Sequence, residues 1–477
     1  METETYDLIV IGSGPAGEKG AAQVAYFGKK VALVEKEPIP VLGGAATNTG
    51  TLPSKTLRET ALFLSGFRNR ELDGLDVRRR DVVTVRDLMA REQVVRGNER
   101  ARILKNLQRH GVAVHTGTAS FVDPHTIAVR QADGTEGRLR GEVVLIATGS
   151  YPFRPPGYNF GDPRIYDSDE ILDLQCIPET MLVVGGGVIG CEYACMFAAL
   201  GIRVTLLEKR DRIVGFLDTE ISEALSRRMQ AMGITLLLGD SVESVDDRRP
   251  AIAVNLKSGS VLDVASILVS SGRCGNTAAL GLDRVGIAVD GRGYIPVDEH
   301  YRTAVPHVYA AGDVVGFPAL ASTSMEQARV AMVHAFQLTY KKEMARILPY
   351  GIYTIPECSM VGATEEELIA QKIPYVAGRA SYAQNARGQI IGDHEGFLKL
   401  LFREDDLLLL GVHVIGELAT EIVHVGLTAL LLHGDADLFI QACYNYPTLT
   451  EVYKYATYDA LGQKARRQAA RLAALSP

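Results

Sequence analysis

The sequence contains no tryptophan, few cysteines and no long apolar segment. Its 477 residues include only six cysteines, whose spacings match neither a disulfide framework nor a metal site. The longest apolar stretch, Leu407 to Gly416, is shorter than the roughly 18 residues that a membrane-spanning helix requires. The sequence therefore predicts no bound metal, no disulfide scaffold and no membrane partner.

An excess of one charge is also missing. The formal net charge is −7, from 50 basic and 57 acidic residues that are interspersed along the chain. This pattern argues against nucleic acid or an anionic membrane as the main partner. The length and the 47% hydrophobic content predict several domains with sizeable cores. The chain opens directly on a strand pattern without a basic and apolar leader, so we expect a cytoplasmic protein.

The first informative motif is a glycine turn between a strand and a helix. The unbroken apolar run Leu8–Ile11 predicts a buried parallel strand, and Gly12-Ser13-Gly14-Pro15-Ala16-Gly17 follows it. The three glycines stand where a dinucleotide-binding turn needs a tight bend, close approach to a pyrophosphate, and helix–strand packing. The next strand delivers Glu35, followed by Lys36, where an adenosine ribose needs an acceptor.

The same pattern of strand, glycine turn, helix and strand ending in an acidic residue recurs later in the chain. Gly185-Gly186-Gly187-Val188-Ile189-Gly190 follows another apolar strand, and the strand after it ends at Glu208. At one constant offset, the repeated positions are Gly12 and Gly185, Gly14 and Gly187, Gly17 and Gly190, Gly28 and Gly201, and Glu35 and Glu208. Two dinucleotide folds in one chain are the arrangement that a flavin needs to receive hydride from a nicotinamide.

The second acid bears on nucleotide preference. Glu208 is suited to the two ribose hydroxyls, and its charge disfavours a 2′-phosphate, which predicts NAD(H). Lys209, Arg210 and Arg212 follow at once and can neutralise a phosphate, so NADP(H) stays open.

The stretch from Gly43 to Lys55 resembles the flavoprotein disulfide reductases. Gly43, Gly44, Asn48, Gly50, Pro53, Ser54 and Lys55 keep the pattern that surrounds the family's redox cysteine pair. Ala46 and Thr51 occupy the two cysteine positions, and thiol–disulfide exchange needs a thiolate that neither supplies. The resemblance implies FAD as the cofactor and an α/β fold with two Rossmann-like dinucleotide-binding domains, one for FAD and one for NAD(P), plus an α+β C-terminal dimerisation domain.

The resemblance also implies roles for individual residues. Lys55 and Glu192 would pair close to the flavin N5, with Thr51 beside the flavin, and Asp313 would accept hydrogen bonds from the ribityl hydroxyls. Val188 stands where some relatives carry a tyrosine gate, which implies a more open nicotinamide pocket. We also expect a capping box at Thr323–Glu326 to open a helix toward the flavin. The other implied cofactor-binding positions are Lys36, Gly44, Thr148, Gly149, Gly312, Ala321, Ile189, Gly272 and Arg273.

The C-terminal region departs from the family at one position. In the family a His-Pro motif serves the redox thiol across a dimer interface, and here Tyr446 replaces the histidine while Glu451 remains. A phenol with a pKa near ~10 is a poor proton shuttle at neutral pH.

The predicted domain boundaries assign residues 1–150 and 276–345 to the FAD-binding domain, 151–275 to the NAD(P)-binding domain, and 346–477 to a homodimer interface.

Without the two thiols and the histidine, hydride transfer on and off the flavin is the chemistry that remains. Within the family, the soluble pyridine nucleotide transhydrogenases share the stretch around Thr51, the Tyr-Pro-Thr stretch at Tyr446, and Gly-Ile-Tyr-Thr-Ile-Pro at 351–356. Ala46 departs from them, since we expect a cysteine there. The resemblance implies ping-pong exchange of hydride between NADP(H) and NAD(H) through FAD. Two alternatives stay open: an NAD(P)H dehydrogenase that reduces quinones or dyes, and a non-catalytic flavin-binding relic or sensor.

Overall fold

The computed structural model describes residues 3–66, 83–341 and 343–475. The helices in these ranges are α1 (Pro15–Tyr26), α2 (Gly44–Asn48), α3 (Thr51–Ser65), α4 (Val85–Arg109), α5 (Val188–Ala199), α6 (Thr219–Ala231), α7 (Ala321–Ala335), α8 (Glu365–Ala370), α9 (Ala386–Ile390), α10 (Ala419–Leu431), α11 (Ala436–Gln441) and α12 (Val452–Leu475). The strands are β1 (Glu4–Ile11), β2 (Val31–Glu35), β3 (Ala113–Thr116), β4 (Thr118–Asp123), β5 (Thr126–Arg130), β6 (Glu136–Ile146), β7 (Ser150–Pro152), β8 (Ile165–Asp167), β9 (Thr180–Val184), β10 (Arg203–Glu208), β11 (Thr235–Leu238), β12 (Val242–Asp246), β13 (Ile252–Leu256), β14 (Val261–Val264), β15 (Ser266–Val269), β16 (Arg273–Gly275), β17 (Val308–Ala310), β18 (Tyr350–Ile352), β19 (Glu357–Gly362), β20 (Tyr375–Ser381), β21 (Phe397–Arg403) and β22 (Leu409–Gly416).

The first sheet is built around the long strand β6. It has the order β3-β2-β1-β6-β5-β4, and β17 pairs with the C-terminal half of β6. The β1, β2, β3, β6 and β17 pairings are parallel. Helices α1 and α7 pack together on one face, where Gly20 lies against Leu145 and Ala328. The opposite face packs against Phe121 and Ile127 of β4 and β5, which explains why the C-terminal half of β1 is apolar on both faces.

The second sheet repeats this design in the order β11-β10-β9-β15-β8, with every pairing parallel. A small antiparallel sheet, β12-β13-β14, is attached to it in sequence between β11 and β15. The antiparallel pair β7–β16 lies where the chain passes between the two sheets. The predicted α/β architecture with two dinucleotide-type units is confirmed.

The C-terminal part is an antiparallel sheet in the order β18-β19-β22-β21-β20, with α10 and α12 packed against it. Buried ionic contacts join this sheet to the rest of the chain. Arg58 of α3 lies 3.2 Å from Glu357 and donates to the Thr354 carbonyl at 3.0 Å. Lys399 of β21 is fully buried and contacts Asp218 at 2.8 Å and Glu220 at 3.0 Å, and it also pairs with Glu365.

The predicted capping box is wrong. Helix α7 begins at Ala321 with Leu320 as its N-cap, so Thr323 and Ser324 already lie within the first turn. Their hydroxyls donate to carbonyls, that of Thr323 to Pro318 and Leu320 and that of Ser324 to Leu320. A hydroxyl inside a helix has backbone carbonyls within reach, and this local bond replaces the capping bond.

Helix α4 begins with a capping box formed by Thr84 and Asp87. Among the residues that the structure covers, no helix combines the length and the apolar character needed to cross a bilayer.

Candidate active site

The first glycine turn is closed tightly against β6. Gly12 has φ +103°, and a Cβ there would lie 2.4 Å from the Ala147 carbonyl oxygen. A Cβ on Gly17 would lie 1.9 Å from the Gly12 carbonyl oxygen. Neither position tolerates a side chain, so the two glycines fix the turn. Gly14 is the N-cap of α1 and Pro15 starts the helix, which leaves a helix N-terminus for a phosphate to approach.

Glu35 stands at the end of β2 and faces this turn. Its Oε2 accepts hydrogen bonds from the Ser13 amide at 2.9 Å and the Ser13 hydroxyl at 2.6 Å. The Ser13 hydroxyl in turn accepts from the Gly43 amide at 2.9 Å. Glu35 therefore ties the glycine turn to the start of α2, while Lys36 is 60% exposed.

The second turn reproduces the first. Gly185 has φ +110°, and a Cβ there would lie 2.6 Å from the Ser270 carbonyl oxygen. A Cβ on Gly190 would lie 1.9 Å from the Gly185 carbonyl oxygen. Gly187 differs, because a Cβ there would meet no atom within 4 Å. The turn is thus packed against the protein at Gly185 and Gly190 and open at Gly187, where the pyrophosphate of a ligand can approach the backbone.

Glu208 is buried at the end of β10. Its Oε2 accepts from the Gly186 amide at 2.7 Å, and its Oε1 accepts from the Arg210 amide at 3.0 Å and the Arg210 Nε at 3.1 Å. Burial opposes ionisation, but these hydrogen bonds outweigh it and hold the pKa of Glu208 below its usual value. The carboxylate is therefore charged at neutral pH and oriented toward the turn.

The three basic residues after Glu208 have different surroundings. Lys209 is exposed, and the Arg210 side chain is 57% exposed although it pairs with Glu208. Arg212 donates to the Gly215 carbonyl at 2.8 Å and to the Thr219 hydroxyl. The guanidinium of Arg212 is thus occupied by hydrogen bonds within the protein. Lys209 and Arg210 are the exposed cations that a phosphate could contact.

Lys55 and Glu192 meet between the two sheets. The Lys55 Nζ lies 2.6 Å from Oε2 of Glu192, whose side chain is 4% exposed. The other oxygen, Oε1, accepts from the Tyr353 amide at 2.9 Å. The Tyr353 ring lies over the ammonium at 4.9 Å from its centroid. The ammonium, which α3 carries, is therefore held by Glu192 of α5 and by the Tyr353 ring in the segment after β18.

Asp313 lies beyond the C-terminal end of β17. Its Oδ2 accepts from the Ser150 hydroxyl at 2.9 Å, and that hydroxyl accepts from Nε of Arg273 at 2.8 Å. The Gly312 amide donates to Gln327 Oε1 at 2.8 Å. These bonds fix the acid where β6, β7 and β16 converge.

An unpartnered polar atom lies in the short segment between β6 and β7. The Thr148 hydroxyl oxygen is buried and has no hydrogen-bond partner among the described residues. A buried polar group without a partner is costly, and a ligand that bonds to it removes the cost. Together with the first glycine turn and Asp313, this hydroxyl fits a bound dinucleotide such as FAD.

The remaining predicted positions are distributed over several elements. Ala46 lies in α2, and Thr51 is the exposed first residue of α3. Tyr446 is 70% exposed. The others are Ala16 in α1, Gly44 at the start of α2, Gly149 after β6, Val188 and Ile189 at the start of α5, Gly272 before β16, and Ala321 at the start of α7.

All six cysteines are free. Cys191, Cys195 and Cys358 are fully buried, and burial raises their pKa values, that of Cys195 to about 12. Such thiols are neutral and unreactive at pH 7. Cys191 and Cys195 are therefore packing residues of the hydrophobic core.

Sequence reasoning missed three residues of the site. Ser150 bridges Asp313 to Arg273, and Ser13 carries the bonds of Glu35. Tyr353 holds Glu192 through its backbone amide, which no side-chain motif can reveal. Adjacency to the motifs was the only signal for the two serines, since Ser13 lies within the first turn and Ser150 follows Gly149.

Comparison with known families matches almost the whole chain. Residues 6–335 match the model described as pyridine nucleotide-disulphide oxidoreductase, and residues 348–457 match the dimerisation domain of the same name.

Curated relatives and solved structures agree with the family match. A soluble pyridine nucleotide transhydrogenase of Mycobacterium bovis is 47% identical, covering 96% of this chain and 97% of its own length. One from Pectobacterium atrosepticum is 39% identical over 96% of this chain and 98% of its own. Among solved structures, LpdA of Mycobacterium tuberculosis superposes with a TM-score of 0.87 at 26% identity, covering 96% of this chain and 99% of that one. The Escherichia coli flavoprotein disulfide reductase RclA, as a Cu(II) complex, superposes with a TM-score of 0.86 at 26% identity, covering the same shares of the two chains.

Proposed function

The chain belongs to the pyridine nucleotide-disulphide oxidoreductase family, and on this premise we propose that it is an FAD-dependent transhydrogenase that moves hydride between NADPH and NAD⁺. Its similarity over nearly the full length to enzymes of that name supports the proposal. The observation that carries it is the combination of an ordered Lys55–Glu192 pair with Ala46 and Thr51 at the positions of the redox thiols. Hydride exchange needs no thiol, and we propose that it uses the pair.

We propose that FAD binds between the first glycine turn and Asp313. Gly12, Gly14 and the N-terminus of α1 would hold the pyrophosphate, and Glu35 would face the adenosine ribose. The Thr148 hydroxyl offers a hydrogen-bonding group that has no partner in the protein. When bound, FAD would accept hydride from one nicotinamide nucleotide and return it to another.

The protein's own part in this reaction is electrostatic and positional. Glu192 holds the Lys55 ammonium at 2.6 Å, and the Tyr353 amide fixes the other carboxylate oxygen. A fixed positive charge favours negative charge that develops beside it, and it needs no rearrangement during the reaction. Thr51 starts the helix that carries Lys55, and we propose that it borders the same site.

The second unit would bind both nucleotides in turn. Gly185, Gly187 and Gly190 form the turn for the pyrophosphate, and Val188 and Ile189 open α5 beside it. Glu208 is oriented for a ribose diol, which favours NAD(H). Lys209 and Arg210 are exposed cations that can offset the repulsion of a 2′-phosphate. A transhydrogenase must accept both ligands at one site, and this mixed surface suits that requirement.

The proposal also covers the domain boundaries, the oligomeric state and the cellular location. Residues 1–150 and 276–345 would form the FAD unit, 151–275 the NAD(P) unit, and 346–477 a homodimer interface, in keeping with the matched dimerisation domain. A cytoplasmic location belongs to the same proposal, because the relatives are named as soluble enzymes.

Anaerobic stopped-flow spectroscopy tests the function. We expect NADPH to bleach the oxidised flavin and NAD⁺, added to the reduced enzyme after removal of NADP⁺, to restore the absorbance with formation of NADH. If the reduced enzyme gives no hydride to NAD⁺ but reacts readily with a quinone, it is an NAD(P)H dehydrogenase. If NADPH leaves the flavin oxidised, the proposed exchange between NADPH and NAD⁺ is refuted.

A further inference from the structure

Three aromatic side chains from distant parts of the sequence meet at the surface. Phe317 and Tyr350 lie nearly parallel, with ring centroids 6.2 Å apart and planes at 12°. Phe216 contacts the same tyrosine with centroids 5.7 Å apart. We call Phe216, Phe317 and Tyr350 the aromatic clip. Phe317 is 81% exposed and Phe216 is 43% exposed, so the clip presents apolar surface to solvent.

One arm of the clip is attached to the second glycine turn. Phe216 follows Val214, whose amide donates to the Gly186 carbonyl at 2.7 Å. Val214 is buried and has φ +37°, a conformation that β-branched residues rarely adopt. Arg212 holds the same loop through the Gly215 carbonyl. Strained backbone that is held from several sides is typical of functional sites.

The other two arms are linked along the chain to Asp313 and to the Lys55–Glu192 pair. Phe317 comes four residues after Asp313, and the intervening Gly316 lies close to the Tyr294 ring. The Tyr294 hydroxyl donates to the Arg273 carbonyl at 2.6 Å, so this loop is connected to the passage between the sheets. Tyr350 starts β18, three residues before Tyr353.

Short stretches of chain thus connect the clip to both ends of the interval between the second glycine turn and the Lys55–Glu192 pair. A dinucleotide whose pyrophosphate lies at that turn and whose nicotinamide reaches Lys55 must cross this interval. Val188, at the start of α5, carries only a small side chain with which to cover such a ligand.

We propose that Phe317 is a positioning residue that covers the nicotinamide half of the bound nucleotide, an inference that rests on the proposed function. The exposed phenyl ring would lose contact with water when the nucleotide binds, and aromatic stacking would add to this gain. The nicotinamide half is common to NAD(H) and NADP(H). Phe317 therefore strengthens the binding of both by the same factor, whereas Arg210 discriminates between them.

Equilibrium binding tests the proposal. With Phe317→Ala holoenzyme, we expect the Kd values for NAD⁺ and NADP⁺ to rise by the same factor, about 3- to 10-fold for the loss of one aromatic contact. FAD content and the melting temperature should stay close to those of wild type, and Phe317→Tyr should restore both affinities. Phe63→Ala is the matched control, because Phe63 is 83% exposed on α3 and belongs to neither nucleotide site.

The absence of tryptophan permits a second, local measurement. In Phe317→Trp the indole is the only one in the chain, and saturating NAD⁺ should shield it from acrylamide quenching. The indole of Phe63→Trp should be quenched equally with and without NAD⁺.

Unchanged Kd values in Phe317→Ala, or unchanged quenching in Phe317→Trp, would overturn the role of Phe317. Wild-type protein that binds nucleotides but returns no hydride to NAD⁺ would refute the transhydrogenase, while the Kd comparison would still decide the role of Phe317. Failure of the wild type to bind nucleotides would refute both.

Discussion

Replacing Lys399 with methionine should destabilise the protein substantially. The Lys399 ammonium is fully buried, and its contacts with Asp218 and Glu220 join the C-terminal sheet to the second nucleotide unit, while Glu365 is a third partner within the C-terminal region. Removing one partner of a buried ionic contact costs about 3 to 5 kcal/mol, because the remaining charge is left without compensation.

The structure places the expected loss near the lower end of that range. Glu220 keeps Arg379 at 2.7 Å, and Glu365 keeps the same guanidinium at 3.9 Å. Asp218, only 1% exposed, would retain just the backbone amides of Glu220 at 3.1 Å and Glu365 at 3.3 Å. One buried carboxylate is thus left without a cation, and we expect the free energy of unfolding to fall by about 3 kcal/mol.

Urea unfolding of the holoenzyme measures this loss. Lys399→Met combined with Asp218→Asn should lose less stability than Lys399→Met alone, since the asparagine carbonyl still accepts from the amide of Glu220 and carries no charge. Lys257→Met, at an exposed position, is the matched control and should change stability by less than about 0.5 kcal/mol. Equal stabilities of Lys399→Met and wild type, or additive effects in the double variant, would refute the reasoning.

The pH dependence of this contact has a definite sign. Burial alone would lower the pKa of Lys399, but its bonds to Asp218 and Glu365 outweigh burial and raise it. A folded-state pKa above the unfolded value means that the stabilisation is complete below the unfolded pKa, about 10.4, and is lost as the pH rises through the folded value. The difference between wild type and Lys399→Met due to this lysine should therefore stay constant from about pH 7 to 9 and shrink in stronger alkali.

Four further outcomes are expected. Glu192→Gln should slow flavin reduction by NADPH about 10- to 100-fold in stopped-flow experiments, because a charged hydrogen bond to Lys55 is lost; an unchanged rate would remove the pair from the mechanism. Arg210→Ala should weaken NADP⁺ binding more than NAD⁺ binding in titrations, and equal losses would contradict the role of this arginine in phosphate recognition. Arsenite and iodoacetamide should leave turnover unchanged, since Ala46 and Thr51 leave no dithiol at the flavin; strong inhibition by arsenite would reveal another reactive cysteine pair. Analytical ultracentrifugation should show at least a dimer, and a fully active monomer would contradict the proposed interface.

The sequence predicted those parts of the structure that depend on local geometry. Gly12 and Gly185 must have positive φ next to a neighbouring strand, and only glycine meets both conditions, so their spacing revealed both turns. The prediction failed at Thr323, where a local bond to a carbonyl competes with capping. Contacts between distant segments left no local pattern. Lys399 meets Asp218 across 181 positions, and Tyr353 reaches Glu192 through an amide that every residue except proline carries.

The contact between Tyr353 and Glu192 limits how this protein can be recombined. Arg58, three residues after Lys55 on α3, is bound to Thr354 and Glu357, so the C-terminal region holds both the helix that carries Lys55 and the acid that pairs with it. The region is therefore not an exchangeable module appended to a complete enzyme. A chimera that takes residues 346–477 from a distant relative preserves the geometry around Lys55 only if the donor also supplies an equivalent backbone path from Tyr353 to Glu357.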